Sequence, residues 1–156
     1  MSKKRKKICF AASSGGHFEQ LLMLKPLMKE YDSFIITENT PYGTSINDIK
    51  VYKLQQVNRK EKLFPLRMIA NSFQSLGIFI KERPNIIICT GVLATIPMCL
   101  LVKIFRGKLI FIESFAKVTS PTETGKLMYK FADKFYVQWP QMLEVYPDAT
   151  YLGGIY

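Results

Sequence analysis

The 156-residue sequence has little of what metal and redox proteins need: one histidine, three cysteines and no CxxC. No metal-ligand spacing exists, so no structural zinc is expected. Cys9, Cys89 and Cys99 all lie in apolar stretches. An odd, sparse, apolar set reads as reduced cytosolic thiols in a core, neither a disulfide framework nor a nucleophile. No run of about 18 apolar residues occurs, so no bilayer-spanning helix is expected. The start, MSKKRKK, has the charge of a signal n-region, but ICFAASSGGH turns polar too soon for an h-region. GxGxxG is absent, which argues against a nicotinamide or flavin site. Thr124-Gly125-Lys126 lacks the first glycine and the final Ser/Thr of a P-loop. No cofactor is expected. Acidic residues are the scarce charge: 12 Asp plus Glu face 22 Lys plus Arg, a formal net charge of +10. That surplus calls for an anionic partner, whether nucleic acid, an anionic membrane or a phosphorylated ligand.

What is present is an ordinary globular composition, 48% hydrophobic and 22% charged, which excludes a disordered chain and suits one domain over residues 1–156, with a basic tail at 1–6. Short β-rich runs alternate with helical ones. The expected strands are Lys7–Ala12, Ser33–Thr37, Lys50–Leu54, Asn85–Thr90, Lys108–Glu113, Lys134–Gln138 and Ala149–Leu152. The expected helices are His17–Glu30, Phe64–Lys81, Ala94–Phe105, Gly125–Ala132 and Pro140–Tyr146. Pro26 is placed to kink or shorten the first, and a polar loop with Pro41 and Gly43 precedes the third strand. The strongest strands are continuous apolar runs, the mark of a parallel sheet covered on both faces. Alternating strands and helices make right-handed βαβ units. The fold class is therefore α/β: a doubly wound parallel sheet, Rossmann-like, with order 3-2-1-4-5.

In such a sheet ligands sit beyond the carboxyl ends of the strands, where the order reverses. Three loops should meet there: Ser13-Ser14-Gly15-Gly16-His17, Thr90-Gly91-Val92 and Glu113-Ser114. Glycines let a ligand approach the backbone, and a helix beginning at His17 adds a positive dipole end, together suiting a phosphate or pyrophosphate. SSGG could equally be a plain tight turn. His17 could be a solvent-exposed cap, a phosphate contact or a catalytic group. Glu113 could be an ion-pair partner, a ligand to sugar hydroxyls or a general base.

The basic residues form two groups. Lys3, Lys4, Arg5, Lys6 and Lys7 open the chain, and Arg59, Lys60, Lys62 and Arg67 surround Leu63, Phe64, Leu66 and Met68. One face of the following helix must pack on the sheet, leaving Phe64, Met68 and Phe79 over. Cations beside exposed apolar groups suit an anionic bilayer. Nucleic acid, which calls for aromatic platforms or a reading helix, is not expected.

The stretch from Ile112 onward reads IESFAKVTSPTETGKLMYKFADKFYVQWPQMLEVYPDATYLGGIY. Its order of ES, TGKLMYKFAD, VQWP, YP and YLG, with SSGGH and the TG after NIIIC, resembles the acceptor-binding, membrane-recruiting subunits of split UDP-sugar glycosyltransferases. These are the dolichol-pathway Alg-fourteen type and bacterial polysaccharide proteins of the PssD and CpsF kind. The resemblance implies one half of a MurG-like GT-B glycosyltransferase, active only with a separate donor-binding subunit of the Alg-thirteen type. It implies a lipid-linked saccharide acceptor and a peripheral place on the cytoplasmic face of a bacterial membrane, in capsular or exopolysaccharide synthesis. Gly15, Gly16 and His17 correspond to the glycine-rich loop facing the acceptor, and Glu113 and Ser114 to a loop touching acceptor and active site. Eukaryotic members carry an N-terminal transmembrane anchor where this chain has MSKKRKK, and Lys117 stands where Arg is expected. Gly154, Ile155 and Tyr156, flexible by their glycines yet apolar at the end, are expected to pack on the donor-binding partner. The competing reading is a stand-alone phosphosugar or nucleotide enzyme using His17 and Glu113.

Overall fold

Seven parallel strands form one sheet in the order β3-β2-β1-β4-β5-β6-β7 in the computed structural model, which describes residues 6–40, 46, 48–91 and 93–156. The elements are β1 (Lys7–Ala12), α1 (Gly16–Leu22), α2 (Lys25–Glu30), β2 (Asp32–Glu38), β3 (Lys50–Leu54), α3 (Phe64–Glu82), β4 (Ile86–Gly91), α4 (Ile96–Ile104), β5 (Lys108–Ile112), α5 (Glu123–Tyr129), β6 (Lys134–Val137) and β7 (Thr150–Tyr151). Two 3₁₀ turns, Leu93–Thr95 and Pro140–Leu143, complete them. The expected order 3-2-1-4-5 stands, extended on one side by β6 and β7.

The helix expected over His17–Glu30 is two helices, with Pro26 in the first turn of α2. A proline offers no N–H, so it fits where the first turn needs none. Pro65 starts α3 in the same way, and α3 stops at Arg83, whose left-handed backbone (φ 48) turns the chain before Pro84. β5 ends at Ile112, which puts Glu113 past the strand, and Pro140–Leu143 is a 3₁₀ turn, not the expected α-helix.

Central strands are buried on both sides, so they read as unbroken apolar runs. Cys9, Ala11, Phe34, Ile36, Ile87, Cys89, Leu109 and Phe111 face a core closed by α3 and α4. Ile8, Phe10, Ile35, Ile88 and Ile112 face a smaller core under α1 and α2. On this second face Ile110 and Tyr136 stay half-buried; Ile155 packs there too, and α1 and α2 lie over β1, β2 and β4 instead. At the amino ends of the strands, Lys7, Lys50 and Tyr52 all bond the carboxylate of Glu82. Burial pushes that carboxyl up, but the three hydrogen bonds outweigh it and hold it at about 2.

Candidate functional site

β1, β4 and β5 are neighbours, so the loops after them meet at one end of the sheet. Gly15, at φ 72, caps α1, and its carbonyl accepts the N–H groups of Phe18 and Glu19. Gly15 and Gly16 are exposed, and a Cβ on either would meet nothing within 4 Å. Space for a ligand therefore lies over this turn. Ser13 is buried and Ser14 half-buried. The backbone N–H of Ser14 and that of Val57 (3.4 Å) bond the buried carboxylate of Glu38, whose carboxyl burial pushes up.

His17 is clamped to β4 twice. Its Nδ1 lies 2.8 Å from the carbonyl of Thr90, and the Thr90 hydroxyl donates to the carbonyl of His17 at 2.8 Å. A carbonyl only accepts, so Nδ1 carries the proton and Nε2 keeps the free lone pair. The ring lies against Gly91, where φ is 131 and an added Cβ would stand 3.0 Å from the imidazole. Only glycine fits there. Val92 lies outside the described residues.

Glu113 is placed differently from what the sequence suggested. Its side chain turns inward and the residue is 1% exposed. One carboxylate oxygen accepts from Ser114 N (2.9 Å) and Thr122 Oγ1 (2.8 Å); the other accepts from the Tyr146 hydroxyl (2.9 Å) and Thr122 N (3.2 Å). A Cβ on Gly125 would come within 2.0 Å of this carboxylate, so the first turn of α5 is open to Glu113 because it has no side chain there. Burial, then the charge of Glu113, pushes the Tyr146 phenol well above its usual range. The expected ligand or base role for Glu113 is thus corrected: with four donors and no surface, it holds the loop between β5 and α5. Ser114 does face outward. Gly16, His17, Gln20, Ser114, Phe115 and Tyr156 line a cavity of about 350 Å³.

The C-terminal segment is fixed on its own domain, not loose. Ile155 N donates to Gln138 Oε1 (3.0 Å), and the Tyr156 ring stands edge-on to Phe115 at 4.9 Å. A Cβ added to Gly154 would stand 3.2 Å from the Phe115 ring. Tyr156 remains 60% exposed.

The surface assignment also changes. Lys3, Lys4 and Arg5 lie outside the described residues, as do Pro41 and Gly43. Lys6 is exposed, but Lys7 is bound to Glu82 and Asp32. Lys60 and Lys62 are exposed, whereas Arg67 pairs with Glu61 and with the carbonyl of Gln56. Phe64 and Met68 pack against the core and Phe79 is buried. Of the apolar residues set among these cations, Leu63 and Leu66 do face water, and they are joined by Ile69, Phe73 and Ile80 of α3, with Ile104 and Phe105 beside them. A groove of about 360 Å³ runs between Ile69, Phe73, Leu76, Leu100 and Ile104. Among the described residues no helix is long and apolar enough to cross a membrane, and no group of three or more His, Cys, Asp or Glu could hold a metal.

Sequence reasoning missed Gln20, Gln138, Glu38, Thr122 and Tyr146. All are buried except Thr122, which caps α5 through Gly125 N. Glu38 and Gln138 carried a signal, a polar side chain at the end of an apolar strand run; Gln20, Thr122 and Tyr146 carried none.

The domain superposes on Acinetobacter baumannii MurG with a TM-score of 0.67 at 15% identity, covering 86% of this chain and 42% of that one. It superposes on UDP-N-acetylglucosamine 2-epimerase from Rickettsia bellii at 0.71 and 8%, covering 97% and 45%. These likenesses show the fold, and the chain spans less than half of either protein. In sequence it is 28% identical to the UDP-N-acetylglucosamine transferase subunit ALG14 of Yarrowia lipolytica, over 94% of this chain and 80% of the relative. It is 25% identical to the human protein of that name, over 95% and 82%. The family model described as "Oligosaccharide biosynthesis protein Alg14 like" matches residues 28–155, and this chain belongs to that family.

Proposed function

We propose that this chain is the acceptor-binding, membrane-associating subunit of a split UDP-sugar glycosyltransferase, working with a separate donor-binding subunit on a lipid-linked saccharide. The observation that carries the reading is an open crevice on a domain equivalent to under half of a MurG-like enzyme, in a chain whose relatives are named as UDP-N-acetylglucosamine transferase subunits. Those names make UDP-N-acetylglucosamine the donor to test first. The bacterial capsular or exopolysaccharide setting rests on the residue resemblance alone; the relatives named above are fungal and human.

His17 supports the acceptor role. With Nδ1 held by Thr90, Nε2 is the nitrogen able to take a proton from an acceptor hydroxyl, and the open turn at Gly15–Gly16 has room for a phosphate. The exposed stripe of α3 supports membrane contact. Leu66, Ile69, Phe73 and Ile80 follow one helical face, with exposed Lys60 and Lys62 near one end and Lys81 and Arg83 near the other. The helix has 19 residues, about 28 Å at 1.5 Å per residue, so it can lie flat on an anionic bilayer. Partner contact is supported by half-buried Ile110 and Tyr136, and by Leu152 and Tyr156, which are 79% and 60% exposed. The stand-alone reading loses its second catalytic group, because the Glu113 carboxylate is internal.

The test is transfer from UDP-N-acetylglucosamine to a polyprenyl-pyrophosphate-linked sugar, by this chain alone, by a co-expressed donor-binding subunit alone, and by both. Transfer by the pair only, lost in His17→Ala with the fold intact, is the expected outcome. Turnover by this chain alone overturns the proposal.

A further inference from the structure

Two buried glutamines grip one carbonyl beside the cavity. Gln20, on α1 one turn beyond His17, donates from Nε2 to Glu113 O at 3.2 Å; Gln138, just past β6, donates to the same oxygen at 2.8 Å. Gln20 and Gln138 are 2% and 4% exposed. The second atom of each amide is also used. Gln20 Oε1 accepts Phe115 N at 3.1 Å, and Gln138 Oε1 accepts Ile155 N. Trp139 Nε1 donates to Phe115 O at 2.6 Å. Ser114 N goes to the Glu113 carboxylate, and Lys117 N donates to Ser114 O. The backbone polar groups from Glu113 O to Phe115 O are thus all bonded, mostly by side chains from α1 and from the two residues after β6.

That arrangement resembles neither a turn nor a cap, and it joins three things. It ties the wall Ser114–Phe115 to the helix that carries His17. It ties the same wall to the C-terminal segment through Gln138. It uses the wall's backbone hydrogen-bonding groups within the protein, while Ser114 and Phe115 line the cavity. Neither glutamine is needed to complete the sheet, whose ladder runs through Glu113 N and Tyr136 O instead.

We propose that Gln20 and Gln138 are positioning residues of this site: their shared grip on Glu113 O sets the wall opposite His17, and Gln138 makes the C-terminal segment move with that wall. The proposal rests on the acceptor-site reading above for its purpose, though not for its geometry. A partner or ligand that shifts Ile155 and Tyr156 would then reshape the cavity without touching His17.

The chain carries its own reporters, because it has one tryptophan and one histidine, and both are in this unit. The experiment compares wild type with Gln138→Met, Gln138→Glu and Gln20→Met by NMR. It follows hydrogen exchange of the Trp139 indole N–H, exchange of the β1 and β4 core amides, and the His17 ring signals as inorganic pyrophosphate is added. Losing a buried hydrogen bond changes a local opening equilibrium by up to about tenfold. The expected result is about tenfold faster exchange at Trp139 in all three variants, with core amides within about twofold of wild type. Gln138→Glu has the same shape and still accepts from Ile155 N but turns an acceptor on Glu113 O, so it should not rescue; the bond donated to Glu113 O is the one loss common to Gln20→Met and Gln138→Met, and their agreement assigns the effect to it. Unchanged Trp139 exchange, or core amides accelerating in parallel, overturns the proposal; the second result marks the glutamines as ordinary contributors to stability. The pyrophosphate arm separates the two readings. If wild type gives no shift at His17, the phosphate part of the acceptor reading fails, while the exchange data still decide the positioning role. If wild type binds, the variants are expected to bind at least about threefold more weakly.

Discussion

Replacing Glu113 by glutamine separates a chemical role from a structural one. The carboxylate accepts four hydrogen bonds, two on each oxygen. Glutamine keeps the shape and one accepting oxygen. If that oxygen stays with Ser114 N and Thr122 Oγ1, the new NH₂ faces the Tyr146 hydroxyl and Thr122 N. The hydroxyl can turn to accept, but the Thr122 N–H cannot, and it is left facing a donor. An orphaned buried N–H costs about 1–3 kcal/mol, and the remaining bonds lose the extra strength a charge gives them. The expected loss is about 3 kcal/mol, a fall in Tm of about 6–12 °C for a chain of this size. Urea unfolding followed by Trp139 fluorescence measures it, with an unchanged m-value showing that the same native state unfolds. Well below the new midpoint, the reconstituted pair should keep most of its activity, since no reacting atom has been removed. A variant as stable as wild type but inactive would refute this reasoning and return Glu113 to the chemistry.

Gly91→Ala forces a side chain into a positive-φ position 3.0 Å from the His17 ring; a cost of about 1–3 kcal/mol is expected, with displaced His17 resonances, and unchanged resonances would refute the contact. Glu82, held at about 2, and Asp133, which Lys103 and Lys108 hold at about 2 against its burial, have folded pKa values below their ordinary 4.5 and 3.8. Their contribution is therefore present above those ordinary values and is lost as pH falls from about 4.5 through about 2, so Glu82→Gln should flatten the acid limb of a stability-against-pH curve while lowering stability near neutrality. Changing Leu66, Ile69 and Phe73 together to serine should reduce sedimentation with anionic vesicles at least tenfold, from about 25 cal/mol per Å² of apolar surface, and leave Tm within a few degrees because all three already face water. Equal sedimentation would remove α3 from the membrane surface.

The order of the sheet was legible because β1, β2, β4 and β5 are buried on both faces, and that burial leaves unbroken apolar runs in the sequence. The meeting of the three loops followed from the order, since adjacent strands bring SSGGH, Thr90-Gly91 and Ser114 together. The orientation of individual side chains did not follow. A carboxylate after an apolar strand looks the same whether it points out or in, and what turns Glu113 inward is Thr122, Gly125 and Tyr146, up to 33 residues away. Helical spacing showed that α3 has an apolar excess, but which part stays wet depends on where α4 lies against it. So Phe64, Met68 and Phe79 pack inward and Leu66, Ile69 and Phe73 do not. The tail reads as flexible until a partner binds it, because its glycines are visible in the sequence and its contact with Gln138 is not.

The three thiols add a clock to this molecule. Cys9, Cys89 and Cys99 are 0% exposed and share the layer between the sheet and α4. Burial pushes the Cys9 thiol well up, so little reactive thiolate exists there at neutral pH. An alkylating reagent can reach this layer only after the helices over it, among them α4 on β4 and β5, lift from the sheet, an event on the opposite face of the sheet from α1. The speed of alkylation in native buffer therefore times the parting of that layer alone. Set beside signals from the one imidazole and the one indole, it tells whether a perturbation at the crevice stays local or runs through the sheet.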